Sequence, residues 1–447
     1  MTTGQGRQDR AALAAWRLAV GSFTLAALTG AFMRFGMYLG LPWGLQLGDV
    51  RHAHSHLMFF SWATPALALA AHAALRQSGR RLPGGAAVAG AAALAGLLAY
   101  VPFLLSGYRL LPLGDAELPL SMMASGLNGV VWYALAGLWL AGSWRARRTV
   151  AMRLMDGAVA MLLASTFGVL LLMVEGIGGT ATPAGVAANA DFFLTLFADG
   201  WFGLGLLAAL TLSRAGGGRD AGSGAATWVL AAGLTLRTGA ALATARGLGD
   251  GLRWLETVGG VAAAAAWLWL VAVLWRRGFG GDPTARAVAR VALALVALKA
   301  VVELALALPA GEAFVARVGL RVTLLHAYLL GAVTLGLASF GRASLGPRAW
   351  RGLGAFAAGV AVMVALLLPL TGLWPRALGG LWTLRAAAYS SLGPALLGAY
   401  ALLAGGRGGD DPAPGTAGRA VGRTHRGAAP RADRGPAPSA GAAARRR

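Results

Sequence analysis

The sequence contains no cysteine and little charge. The absence of cysteine from its 447 residues excludes disulfides, thiolate-held iron–sulfur clusters and cysteine zinc sites. Only 13% of the residues are charged, whereas 57% are hydrophobic, and the mean hydropathy is +0.63. Such a chain is too apolar for a soluble protein and is expected to cross a membrane several times. His, Met, Tyr and carboxylate side chains are the remaining candidates to hold a metal or cofactor.

Acidic residues are also scarce. Lys and Arg outnumber Asp and Glu by 39 to 17, and Lys299 is the only lysine. A net charge of +22 by itself suggests a nucleic-acid partner. The arginines, however, cluster in short loops between apolar runs, as in the cytoplasmic loops of membrane proteins. We therefore expect the lipid bilayer, and no nucleic acid, as the partner of this chain.

Apolar runs of about 20 residues, the length that spans a bilayer, occur twelve times. They cover approximately 15–38, 54–75, 84–106, 119–142, 153–175, 190–212, 225–245, 256–275, 287–308, 319–340, 350–373 and 379–403. Arginines concentrate in the even-numbered connections and acids in the odd-numbered ones, which predicts cytoplasmic termini. We predict an all-α, polytopic bundle of 12 transmembrane helices over residues 1–404, in the plasma membrane of a prokaryote. Residues 405–447, rich in Gly, Pro, Ala and Arg, are predicted to form a disordered basic cytoplasmic tail.

Three of the six histidines lie in one stretch, RHAHSHLMFFSW, at the start of the second run. They are His52, His54 and His56. Another, His326, lies a few residues into the tenth run, in LRVTLLHAYLLGAVTLGL. Both runs cross from outside to inside in the predicted topology, so His56 and His326 are expected at similar depth. A planar macrocycle held between two helices needs its axial ligands at one level.

The second and tenth runs also align without a gap, and the sixth run supplies a weaker third copy. The aligned pairs are Arg51 with Arg321, His56 with His326, Thr64 with Thr334 and Leu67 with Leu337. In the sixth run TLFADGW matches HLMFFSW, with Trp201 over Trp62 and Thr195 in place of the histidine. Because these runs are four apart, the twelve helices are predicted to form a three-times-four-helix pseudo-repeat.

Twelve helices with histidines near the outer ends of the second and tenth resemble the large subunit of heme-copper oxidases (cytochrome c oxidase subunit I) and nitric oxide reductases. HSHLMFFSW is similar to the His-X-His-hydrophobic-Phe-Phe-Gly segment of the reductases. It also resembles the His-Ala-His-Glu-Met segment of the NnrS family of heme- and copper-associated membrane proteins. The resemblance implies a low-spin heme b with His56 and His326 as axial ligands. It argues against copper, because this chain has no histidine in its sixth or seventh run.

Neighbouring histidines and arginines are further candidates for cofactor contacts. His54 is the alternative axial ligand, and both His54 and His52 are candidates to contact a propionate, a quinone head group or a second metal. Heme propionates need cationic partners, for which the candidates are Arg51, Arg321, Arg237 and Arg385. For Arg51 and Arg321, as for Arg34, the alternative is that they snorkel to the interface. His72 and His425 are expected to be bystanders.

The predicted function is electron transfer, or response to NO or another diatomic gas, with a quinone or a redox protein as the expected partner. Nothing in the sequence establishes enzymatic turnover. A rival hypothesis is a heme-free transporter or channel, because Lys299 and Glu303 are paired by their spacing on the ninth run and Asp199 lies within the sixth. A third is a receptor or assembly factor that handles heme or copper transiently.

Overall fold

The computed structural model describes residues 3–80, 82, 84–212 and 221–406, and nearly all of them are helical. Twelve long helical segments follow the predicted runs. Their bounds are α1 Thr3–Leu39, α2 Leu47–Gln77, α3 Gly85–Ser106, α4 Leu120–Ser143, α5 Val150–Ile177, α6 Pro183–Leu212, α7 Ala221–Ala245, α8 Arg253–Arg277, α9 Pro283–Leu306, α10 Arg321–Leu345, α11 Pro347–Leu370 and α12 Leu381–Gly406. The predicted all-α membrane bundle is confirmed. Almost all of the predicted tail, from residue 407 onward, lies outside the described residues.

Eleven of these twelve described helices are long and apolar enough to cross a membrane. The other, α9, matches the predicted run 287–308 in length but contains Arg286, Arg290, Lys299 and Glu303. It packs between α8 and α10, so some of its charged side chains, such as Lys299 and Glu303, face neighbouring helices. The ninth predicted run is therefore a helix of the bundle whose composition alone does not identify it as a span.

The connections contain structure that hydropathy did not predict. A hairpin of two short antiparallel strands, β1 (Leu111–Leu113) and β2 (Ala116–Leu118), joins α3 to α4. A short helix, Pro309–Val318, precedes α10. In addition, α2 begins earlier than the predicted run, at Leu47, with Asp49 in its first turn, where a carboxylate is favourable to the helix dipole. His52 and His54 consequently lie inside a helix.

The core of the bundle is formed by α2, α6 and α10. Within their most apolar windows 83%, 78% and 67% of the residues are buried, whereas the other candidate spans reach 28% to 50%. Small residues allow close approach between these helices: Gly205 of α6 lies against Leu67 of α2, and Gly336 of α10 against Leu206 of α6. The three runs that the predicted repeat relates are therefore the three inner helices.

Each inner helix widens to a π-helix at the same point of the alignment. The π segments are Leu57–Ala63 in α2, Thr195–Leu204 in α6 and Ala327–Thr334 in α10. In α2 the segment precedes Pro65, which has no amide hydrogen to continue the α ladder. The hydroxyls of Thr64 and Thr334 donate to carbonyls five residues earlier, at 2.8 and 2.9 Å. Such segments are rare and frequently mark functional sites.

Residues matched in the alignment also take equivalent contacts. The indole Nε1 of Trp62 in α2 donates to Thr334 Oγ1 in α10 at 3.1 Å, and that of Trp201 in α6 donates to Thr64 Oγ1 in α2 at 3.4 Å. All four side chains are buried. Trp62 and Trp201 thus act as equivalent hydrogen-bond donors on α2 and α6, and Thr334 and Thr64 as the equivalent acceptors.

A third hydrogen bond connects α10 back to α6. The hydroxyl of Tyr328 donates to the carbonyl of Ala198 at 2.9 Å, inside the π segment of α6. Gly203 provides the space, because an added Cβ there would lie 2.8 Å from Tyr328 Oη and 2.6 Å from Trp267 Cζ2. The links α2 to α10, α10 to α6 and α6 to α2 form a closed ring around the centre of the bundle.

Candidate functional site

His54 lies on the face of α2 that packs against α1. Its Nδ1 is 2.8 Å from the carbonyl oxygen of Ala26. The ring fits beside Gly30, where an added Cβ would lie 2.9 Å from the imidazole Cε1. Since a carbonyl only accepts, Nδ1 carries the hydrogen and the neutral ring keeps its lone pair on Nε2.

His326 is held in the same tautomer. Its Nδ1 donates to the carbonyl of Val322, one turn earlier in α10, at 2.8 Å. A fixed Nδ1–H orients an imidazole and leaves Nε2 as the ligating atom, as in many histidine metal ligands. His54 and Arg34 both lie near enough to act electrostatically on His326. Arg34, His54 and His326, on α1, α2 and α10, therefore lie in the same region of the bundle, and we name these three residues the Arg34 group.

Arg34, the cation of this group, is buried and unpaired. Arg34 is only 6% exposed and makes no hydrogen bond or ion pair with any other residue that the structure describes. Snorkelling to the interface was the alternative expected for Arg34, and its low exposure favours an inward position instead. An isolated charge at such a position is costly, so an anion is the partner that this position favours.

His56 faces α3, away from the Arg34 group. Its ring stacks on Phe103 with centroids 3.8 Å apart, and its Nδ1 donates to the carbonyl of His52 at 2.9 Å. His52 in turn makes an edge contact of 4.7 Å with Tyr108. These two histidines belong to an aromatic cluster between α2 and α3. His56 and His326 each immediately precede a π segment, but they face different neighbours.

The arginines predicted to meet propionates are distributed over separate places. Arg51 is exposed, as is Arg321, whose side chain is 89% exposed and 3.9 Å from Asp191. Arg385 is exposed and lies near Tyr38 of α1. Arg237 is bound elsewhere, to Glu303. Arg34 is the buried cation that the sequence did not single out, although it lies four residues after Gly30, and a small residue marks close helix packing.

A second polar site lies among α6, α7 and α9. Four side chains of alternating charge connect in the order Arg237, Glu303, Lys299 and Asp199, and we name them the ionic chain. Arg237 Nη1 lies 2.8 Å from Glu303 Oε2, and Lys299 Nζ lies 2.9 Å from Glu303 Oε1 and 3.1 Å from Asp199 Oδ2. The predicted pairing of Lys299 with Glu303 is present. The link to Asp199 was missed because it joins residues 100 positions apart in sequence.

Among the described residues, no group of three or more His, Asp or Glu side chains is arranged to hold a metal ion. An axial heme pair needs only two. The sequence matches no protein-family model and no curated protein.

Proposed function

We propose that this chain is a b-type heme protein of the plasma membrane, with His54 and His326 as axial ligands. The observation that carries the proposal is the Arg34 group, in which two imidazoles with an Nε2 lone pair and a buried cation without a partner lie in one region of the bundle. A heme supplies both what the imidazoles bind and, through its propionates, the anion that Arg34 requires.

His54 is favoured over His56 as the ligand on α2. Arg34 acts electrostatically on both His54 and His326, whereas His56 is stacked face to face on Phe103. The phenyl ring covers one face of the His56 imidazole and holds it toward α3. The sequence pairs His56 with His326 by alignment, but an aligned position does not determine which side chain of a helix faces its neighbour.

A heme with two histidine ligands, when bound, supplies one-electron transfer. The chain itself would hold the two imidazoles in one tautomer and neutralise a propionate with Arg34. Electron transfer to or from a quinone or a redox protein fits this role best, and response to NO is the alternative reading of the same site. We propose no copper centre beside it.

The test is the reduced-minus-oxidised visible spectrum of the full-length purified protein and of three matched variants. We expect a six-coordinate heme spectrum that is lost in His54→Ala and in His326→Ala and retained in His56→Ala. Retention in His54→Ala with loss in His56→Ala would reassign the ligand by two residues. A folded protein that stays colourless after expression in heme-replete cells would refute the proposal.

A heme-free transporter or channel is the second candidate, and the ionic chain favours it. Charged side chains within membrane helices commonly line substrate or ion paths. For this function we expect substrate-dependent flux in proteoliposomes that Asp199→Asn or Lys299→Gln abolishes, in a protein without a heme spectrum.

A further inference from the structure

The two carboxylates of the ionic chain, Glu303 and Asp199, contact different numbers of cations. Glu303 contacts two cations, Arg237 and Lys299. Asp199 contacts one, and this contact, at 3.1 Å, is longer than the 2.9 Å between Lys299 and Glu303. The side chains of Asp199, Lys299 and Glu303 are only 11% to 12% exposed. A buried carboxylate with a single shared partner is the member of the chain most easily neutralised by a proton.

The helices packed around Asp199 supply few groups that can stabilise its negative charge. Besides Lys299 and Glu303 of α9, Arg237 of α7 acts on it electrostatically, but the Arg237 guanidinium is bound to Glu303. Tyr328 of α10 directs its hydroxyl to the carbonyl of Ala198, and α5 presents the apolar Met161 beside Gly200. The ammonium of Lys299 is therefore the one cation in contact with Asp199 among the described residues.

Lys299 has a resting position that does not depend on Asp199. Its ammonium lies 4.9 Å from the centroid of the Tyr328 ring and 5.9 Å from that of Trp267, so two aromatic faces add cation–π attraction. Glu303 lies one helical turn away on the same helix. A small displacement of the ammonium toward Glu303 would release Asp199 without leaving Lys299 unpaired.

We propose that Asp199 is a proton-binding site in the interior of the bundle, with Lys299 as its exchangeable counter-ion. When a carboxylate oxygen of Asp199 takes a proton from a hydronium ion, an O–H bond of hydronium breaks, an O–H bond forms on Asp199 and neutral water leaves. The Lys299 ammonium keeps its three hydrogens and stays on Glu303. The charge of the ionic chain changes from zero to +1, and loss of the proton restores the starting state. The site requires no heme, and its location in the π segment Thr195–Leu204 agrees with the frequent occurrence of such segments at functional sites.

Infrared spectroscopy against pH tests this site directly, because a protonated carboxyl has a C=O stretch that a carboxylate lacks. Apart from the absorption of the exposed carboxyls, the full-length protein in detergent is expected to show one band from this buried carboxyl that grows as pH falls, whether or not heme is bound. The band should disappear in Asp199→Asn. It should remain in Asp156→Asn, a control carboxylate of α5 that accepts from Trp139 Nε1 at 3.0 Å and lies 3.2 Å from Arg148 Nε.

Lys299→Gln provides a second measurement in case Asp199→Asn does not fold. Without its cation, the Asp199 band is expected to titrate at higher pH, by about one unit or more. Folding of each variant is verified by size-exclusion chromatography. The proposal is overturned if no band titrates in the wild type, if the band persists in Asp199→Asn, or if Lys299→Gln leaves the titration unchanged. A missing heme spectrum with a titrating band would refute the heme proposal alone.

Discussion

At the scale of single residues, Arg34 is the side chain that most constrains what this protein binds. It is 6% exposed in a membrane helix, and no carboxylate that the structure describes pairs with it. The ionic chain shows the contrast, because each of its four charges meets an opposite charge within 3.1 Å. Because the four charges of the ionic chain pair internally, whereas the buried Arg34 meets no described carboxylate, Arg34 is the position at which we propose an external anion.

Replacing Arg34 should therefore change the redox properties of the proposed heme. We expect Arg34→Gln to lower the reduction potential by roughly 70 mV, since one unit charge at about 10 Å is worth about 1.7 kcal/mol at an effective dielectric constant of about 20. Potentiometric titration of the heme spectrum measures this. Arg321→Gln, at an exposed position, should shift the potential far less because solvent screens it. Equal shifts in both variants would contradict a special role for Arg34.

The sequence predicted which residue types serve the site but not which way they face. His54 and His56 are two positions apart, so a helix directs them toward different neighbours, α1 and α3 respectively. Alignment with His326 selects His56 by register alone. The contacts with Ala26 and Phe103, which hold the two rings toward different helices, come from segments distant in sequence and follow from no local pattern.

At the scale of elements, the ring of contacts among α2, α6 and α10 holds the core together. Gly203→Ala should disturb it, because the new methyl group would meet the Trp267 ring and the Tyr328 hydroxyl, which donates one of these contacts. We expect a loss of about 1–3 kcal/mol, typical of overpacking, measured as a lower thermal unfolding midpoint in detergent. Gly137→Ala in α4, with no atom within 4 Å of the new Cβ, is the control and should be neutral or stabilising by up to about 1 kcal/mol. Equal effects would exclude overpacking as the cause.

Hydropathy predicted the number and approximate position of the long helices because a bilayer demands long apolar segments. It also placed α9, as the run 287–308, although the charges of this helix keep it from qualifying as a span by composition. It did not predict the hairpin or the short helix in the connections. Hydropathy could not predict the π segments either, because TLFADGW and HLMFFSW show no simple hydrophobic periodicity. The alignment of these stretches did anticipate that α2, α6 and α10 are equivalent.

At the scale of the whole molecule, the distribution of arginine predicts which ends of the helices are cytoplasmic, and the chain offers a clean test. Because it has no cysteine, a single introduced thiol is the sole label site. Asp115→Cys, in the exposed turn of the β1–β2 hairpin, should react with an impermeant maleimide in intact cells. Gln77→Cys, exposed at the end of α2, should react only after lysis. The reverse pattern would invert the predicted orientation.

The π segments affect the direction in which the inner helices point their side chains around the helix axis. A π turn accommodates an extra residue, and each residue of an α-helix corresponds to about 100° of rotation about the axis. Deleting one residue from Leu57–Ala63 would rotate the preceding half of α2 by that angle, turning His54 away from Ala26 while the half that follows the segment, from Thr64 onward, stayed in place. Because α6 and α10 carry the same insertion at the same level, all three helices are offset together. The rotational setting of each inner helix before its π segment is thus separate from the setting after it. The two halves of the core can therefore direct different faces of the same helices toward their neighbours.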